Sequence, residues 1–202
     1  LTWATLLDAY ATGYEAIVRL GEAMGYEHYA AGWHSTGTLG TVGAAAASAR
    51  LLGLGREGIA HAVALGASMG AGLKAQFGTD AKALHAGLAA RAGAEAALLA
   101  AAGARANLDA FEGSYGFRAV HHGAPGLDAG LVLAKIGRPP GLVEHPILRK
   151  PWPSCAYTHR AIEAATALAA RPGFDPTAVA EAELSIPEPF LRVAGFTDPR
   201  TP

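Results

Sequence analysis

Three runs of small residues constrain the fold of this chain more than anything else in it. They read "GTVGAAAASA" (40–49), "ALGASMGAGL" (64–73) and "AGLAARAGAEAALLAAAG" (86–103). Side chains this short bury little area each, so helix axes must approach closely and take neighbours on several sides. A solvated surface helix would carry more Lys and Glu. The runs therefore predict an Ala/Gly-rich helical bundle. Gly37, Gly40 and Gly43 recur every three residues, which suits close packing. A phosphate loop does not fit, because there is no GK[ST] and no G-x-G-x-x-G after a strand.

Helical periodicity extends the reading. Trp3, Leu6, Leu7, Tyr10, Tyr14, Ile17, Val18 and Leu20 fall three and four apart, which predicts a helix over 2–24 with Gly25 as its stop. A second helix is expected over 35–52, capped by Ser35 or Thr36 and ended by Gly53 and Gly55. A third should run over 56–70. A fourth should run over 80–102, with Asp80 as N-cap and Gly103 as stop. Prolines at 139, 140, 146, 151 and 153 then break the pattern. Beyond them, "LVEHPILRKPW" reads as extended and "AYTHRAIEAATALAA" (156–170) as a helix. Val179, Glu181, Leu184 and Ile186 read as an alternating strand. The expected fold class is thus mainly α: a helical domain over 1–138, incomplete on its N-terminal side, then part of a small α/β strand-helix-strand domain over 142–202. That unit is too short to close a sheet alone. The final "GFTDPRTP" has the look of a chain cut short.

Charge narrows the partners. Only 16% of the 202 residues are charged and the net charge is −1. The four lysines are scattered and the arginines form no stripe, so neither nucleic acid nor an anionic membrane surface is an expected partner. Arg50, His61, Lys74, Arg91 and Glu95 interrupt the apolar runs before any is long enough to cross a bilayer. The lone Cys155 cannot form an internal disulfide, which fits a reducing compartment, and a cytoplasmic location is expected.

Three stretches could carry chemistry. In "AGWHSTGTLGTVG" (31–43), His34 stands at a helix start beside the hydroxyls of Ser35 and Thr36. Free N–H groups and a partial positive charge there suit a carboxylate. In "FGTDAKALHAG" (77–87), Lys82 and His85 share one helix face. The company is apolar, and no acidic residue sits four places to either side, so a ligand carboxylate could be the lysine's partner. In "RKPWPSCAYTH" (149–159), Cys155 and His159 are four apart, but no Cys-protease signature surrounds them. His159, in a first helical turn, is the better polar candidate. The eight histidines include adjacent His121 and His122, yet there is no HExxH and no CxxC, so no metal is expected.

Together, "GWHSTGTLGTVGAAAASARLLGLG", "FGTDAKALHAGLAARAGAEAALLAAAG" and "RKPWPSCAYTHRAIEAA" resemble the MmgE/PrpD family, in the family's order and over most of the chain. That family includes 2-methylcitrate dehydratase, cis-aconitate decarboxylase and iminodisuccinate epimerase. The resemblance implies a longer two-domain, homodimeric enzyme with a helical domain and a smaller α/β lid. It implies catalytic roles for His34, Lys82 and His159. Substrate contacts would come from Lys82, His85, Ser35 and Thr36, with His85 supporting the lysine. One departure stands out: Asp80 and Ala81 replace the family's usual Met and Thr ahead of the lysine.

The implied chemistry is cofactor-independent elimination from a small di- or tricarboxylate such as 2-methylcitrate, a carbon–oxygen lyase reaction. Removing a proton next to a carboxylate builds enediolate-like charge, which needs a base near neutrality and cations or N–H groups aimed at the carboxylates. A histidine suits the base and Lys82 the cation. Decarboxylation or epimerisation would use the same groups. A different class of reading is a catalytically inactive helical scaffold.

Overall fold

In the computed structural model, residues 1–123 and 129–194 are described. The chain divides into two compact units, Leu1–Ile147 and Leu148–Pro202, each taken by itself below.

The first unit is built around one helix. Helix α1 (Trp3–Ala30), α2 (Ser35–Leu51), α3 (Arg56–Met69) and α4 (Asp80–Ala101) form it, and α2 packs against the other three. The small residues make this possible. A Cβ on Gly13 of α1 would lie 2.7 Å from the Gly43 carbonyl oxygen of α2. A Cβ on Gly93 of α4 would lie 2.4 Å from Ala44 Cβ and 2.6 Å from the Ala45 nitrogen. Neither contact admits even one methyl group, so α2 is held at backbone distance from both sides. Its three spaced glycines each meet a different neighbour: Gly37 the Ala71 backbone, Gly40 the Ala89 side chain, Gly43 Ile17 and Gly13. Larger side chains gather in one cluster, where Met24, Leu39, Val42 and Phe117 are buried with Ile17, Leu20, Val63 and Phe111 packed on them.

The expected helix limits hold to within a residue, with three physical differences. Gly25 leaves helical geometry (φ 66°) but only kinks α1, which resumes to Ala30. The N-cap of α2 is His34 itself, and Ser35 is the first helical residue. The N-cap of α4 is Thr79, so Asp80 lies inside the first turn, where its carboxylate still complements the helix dipole. Helix α4 also departs from the expectation of neighbours on several sides. Ala89, Gly93, Ala96 and Ala97 are buried against the bundle, whereas Leu84, Leu88 and Leu98 are exposed.

Short helices α5 (Phe117–Val120), α6 (Ala129–Ala134) and α7 (Gly141–Glu144) complete the first unit, with α6 and α7 against α1. The fastening is polar. Arg19 is almost fully buried and donates to Glu15 (2.8 Å), Glu144 (2.7 Å) and the Pro139 carbonyl (2.8 Å). Glu15 in turn accepts from the backbone N–H groups of Gly137 and Gly141. Burial alone would raise the Glu15 carboxyl, but these amides and the guanidinium outweigh it and hold it low. Tyr14 ties in His145 through its carbonyl (2.6 Å).

The second unit holds α8 (Ala156–Ala169) and α9 (Glu188–Ala194). The strand-helix-strand expectation is corrected here. No sheet occurs among the described residues, whose one ladder contact is an isolated bridge between Trp33 and Leu73. The segment containing Val179, Glu181, Leu184 and Ile186 has no regular structure, and Val179 and Leu184 are exposed. Alternation marks a face, but a strand also needs a partner for its N–H and C=O groups, and no described segment supplies one. Part of "LVEHPILRKPW", read as extended, is instead α7. "GFTDPRTP" lies outside the described residues. No helix among the described residues is long and apolar enough to cross a membrane.

Candidate active site

Two helix N-termini meet in the first unit. His34 caps α2, and Lys82 and His85 lie in the first two turns of α4. The His34 and His85 rings touch through their Nδ1 atoms at 2.9 Å. One turn beyond His85, Ala89 sits beside Gly40 (3.6 Å from a Gly40 Cβ), and this small-residue contact lets the two helix starts come this close. Phe77 forms a wall. Its ring lies edge-on to His34 (centroids 5.0 Å apart) and under the Lys82 ammonium, 4.5 Å from Nζ.

The backbone of His34 is fixed on both sides. Its N–H donates to the Gly72 carbonyl (3.0 Å), and its carbonyl accepts from Gly37 (2.8 Å) and Thr38 (3.3 Å). The N–H groups of Ser35 and Thr36 have no protein acceptor among the described residues. Ser35 is half-buried and Thr36 exposed. Gly37 is required sterically, since a Cβ there would stand 2.0 Å from the Ala71 carbonyl oxygen.

The site is electropositive. Lys82 is half-buried and forms no ion pair with a carboxylate among the described residues; Asp80, two residues before it, is exposed. A cation in the first turn of a helix opposes the helix dipole, so two dipoles and one ammonium converge, and no carboxylate among the described residues is ion-paired to that ammonium. The His34 ring responds. Burial, then the charge of His85 and then that of Lys82, push it down to about 4. His34 is therefore a neutral imidazole at pH 7 with a bare ring nitrogen; the same burial and charges weaken it as a base, and a bound substrate carboxylate would raise it again.

Behind His34 lies a buried layer that no local sequence pattern marks. His28 is 1% exposed; its Nδ1 lies 2.7 Å from the His121 carbonyl and its Nε2 2.8 Å from Thr38 Oγ1. A carbonyl only accepts, so Nδ1 carries the proton and the threonine hydroxyl donates to Nε2. His121 repeats the logic on the Phe117 carbonyl (3.1 Å), and Trp33 packs on both rings. His121 is thus a buried structural residue, and burial lowers it and His28 as bases. His28 pairs with a residue 93 positions away, a contact that only the fold reveals. Phe77 was legible only as apolar company for Lys82.

His159 belongs to the second unit. It lies in the first turns of α8, edge-on to Trp152 (5.3 Å), with a buried Nε2 that has no hydrogen-bond partner among the described residues. Cys155 is the N-cap of that helix. Glu22, Glu144 and His145 have ligand atoms within 4.8 Å of one another, yet Arg19 already bridges both carboxylates. A metal there would displace a buried guanidinium. A cavity of about 940 Å³ between α1 and residues of 108–123 and 132–136, walled by Leu20, Met24, Val63, Phe111 and Val132, is not lined by His34, Lys82 or His85. Its lining is mainly apolar, with Arg19, Asp109, Glu112 and Arg118 at its wall.

Comparison with known proteins gives the chain's family. The profile of the MmgE/PrpD N-terminal domain matches residues 2–129, a range holding His34, Lys82 and His85. The chain is 38% identical over 112 residues to the cis-aconitate decarboxylase-like protein oryM of Aspergillus oryzae. That alignment covers 54% of this chain and 23% of the relative, so the chain spans about a quarter of the relative's length.

Proposed function

The chain belongs to the MmgE/PrpD family, and from that premise we propose that it contributes the proton-transfer site of a lyase acting on a small di- or tricarboxylate. The observation carrying the proposal is Lys82, a half-buried ammonium with no carboxylate partner among the described residues, beside a neutral histidine. A substrate carboxylate completes that set. It accepts from Lys82, from the N–H groups at the start of α2, and from the hydroxyls of Ser35 and Thr36. His34 then removes the proton next to the carboxylate. The ammonium and the amides stabilise the enediolate charge as it grows. In dehydration, an acid protonates the departing hydroxyl. His159, with its unpartnered Nε2, is proposed for acid–base duty in the same reaction.

A second reading within the family is decarboxylation, favoured by what the Aspergillus oryzae relative is called. The inactive-scaffold reading is less well supported, because His85 is 9% exposed and bonded to His34 instead of facing solvent.

The test gives the full protein 2-methylcitrate and cis-aconitate in turn, following conjugated unsaturated acid by ultraviolet absorbance and CO2 by trapping. Turnover is expected with one of them. Lys82→Ala should weaken ligand binding by about 2 kcal/mol, the scale of a charge-assisted hydrogen bond. Absence of turnover with any citrate-like acid, together with unchanged binding by Lys82→Ala, rejects the proposal.

A further inference from the structure

The His34–His85 contact joins two atoms of one kind, Nδ1 to Nδ1. Such a hydrogen bond needs one nitrogen protonated and the other bare. A neutral imidazole has a single N–H, so the Nδ1 donor leaves its own Nε2 bare, and the Nδ1 acceptor carries its proton on Nε2. The two rings must therefore be opposite tautomers, and changing one changes the other. We infer that His34 and His85 form a tautomer-coupled pair in which His85 is a positioning residue that sets whether the His34 Nε2 can accept or donate a proton.

The surroundings support a pair of this kind. Neither Nε2 has a protein partner among the described residues, so no other bond dictates the tautomers. The rings are held in place. His34 is anchored through its backbone to Gly72 and Gly37 and through its edge to Phe77. His85 is buried on α4, one turn from the Ala89–Gly40 contact. The Lys82 charge opposes positive charge on His34.

The consequence rests on the proposed proton abstraction. With His34 donating through Nδ1, its bare Nε2 takes the substrate proton while the C–H electron pair stays on the substrate as enediolate. The Nδ1 proton of His34 moves to Nδ1 of His85. His34 ends neutral and His85 ends as the imidazolium, so the couple gains one proton and one positive charge. The reverse shift returns a proton from the His34 Nε2. One nitrogen can thus act as base and then as acid, with the positive charge held on the His85 ring in between.

Nuclear magnetic resonance on the full protein labelled with 15N-histidine tests the pair without reference to turnover. Long-range proton–nitrogen spectra report each tautomer, and a scalar coupling between the two Nδ1 nuclei reports the bond. Expected are opposite tautomers with that coupling. His85→Phe keeps a ring but loses the coupling and releases the His34 tautomer. His85→Asn, with a polar atom near the Nδ1 position, fixes it again. The same Nε2–H tautomer in both rings of the wild type, with no coupling, overturns the inference, and that measurement decides even if a variant fails to fold. In an active enzyme, His85→Phe should lower kcat about 10²-fold with KM little changed, and His85→Asn should recover part of it. A coupled pair in a protein that turns over no polycarboxylate would keep the pair and reject the function; turnover without coupling would do the opposite.

Discussion

Gly37 shows how much a single residue decides in this site. Its missing side chain lets the first turn of α2 lie on the Ala71–Gly72 backbone, and that contact fixes the His34 N–H on Gly72. Gly37→Ala places a methyl 2.0 Å from a carbonyl oxygen with backbone on both sides, so nothing flexible can yield. Loss of about 2–3 kcal/mol is expected from urea unfolding, along with movement of the His34 resonances. An unchanged midpoint would mean that the 70–73 segment shifts freely. At this scale the sequence showed types and spacing: Lys82 and His85 three apart on a helix, and His34 before two hydroxyls. It did not show that His34 meets His85, that Phe77 lies under Lys82, or that His28 and Thr38 lie behind them. Those contacts join positions whose separations follow no local period.

At the scale of elements, the small-residue runs act as contact surfaces and not merely as helix formers. Two glycines of α4 make the point. Gly93 faces α2 at backbone distance, while Gly87 has nothing within 4 Å of its would-be Cβ. Gly93→Ala should destabilise by about 1–2 kcal/mol, the overpacking cost reduced by the better helix propensity of alanine. Gly87→Ala should stabilise by about 0.5–1 kcal/mol, because only the propensity and chain-entropy gains remain. Thermal melts of both variants against wild type measure the pair, and equal effects would refute the close approach of α2 and α4. Helix positions were legible because period and end signals are local. The failed strand over 179–186 was also a local reading, but a strand is completed by a partner, and alternation cannot say whether one exists.

For the whole molecule, pH is the informative variable. The folded state holds His34 down at about 4 and lowers His28 and His121 as well, mainly through burial. Unfolded histidine titrates near 6.5. Between those values the unfolded chain binds more protons than the folded one, so stability rises with pH through that window. The contribution is fully present above about 6.5 and fades as pH falls toward about 4. Glu15 and Glu22, lowered despite burial by their bonds to Arg19 and to the amides or histidine beside them, lose their stabilising contribution in the same direction below the usual carboxylate range. The urea midpoint of the helical unit should therefore be clearly lower at pH 5 than at pH 7.5. A midpoint that is flat or rises toward pH 5 would show that these histidines titrate normally in the folded chain.

The sequence by itself determined the helical framework of the first unit, the closeness of its packing, and the motif residues that mark the family. These follow from chemistry read over a few neighbouring positions: the helical period, the glycines that end helices, and side chains too short for distant packing. The tertiary structure decided which polar groups meet. It brought the α2 and α4 starts together around Lys82 and the His34–His85 pair, and it buried His28 and His121 as the support behind them. It also left "FGTDAKALHAG" with its lysine ion-paired to no carboxylate among the described residues. Proton transfer depends on distances of about one hydrogen bond, and those are set by the packing of helices far apart in the chain.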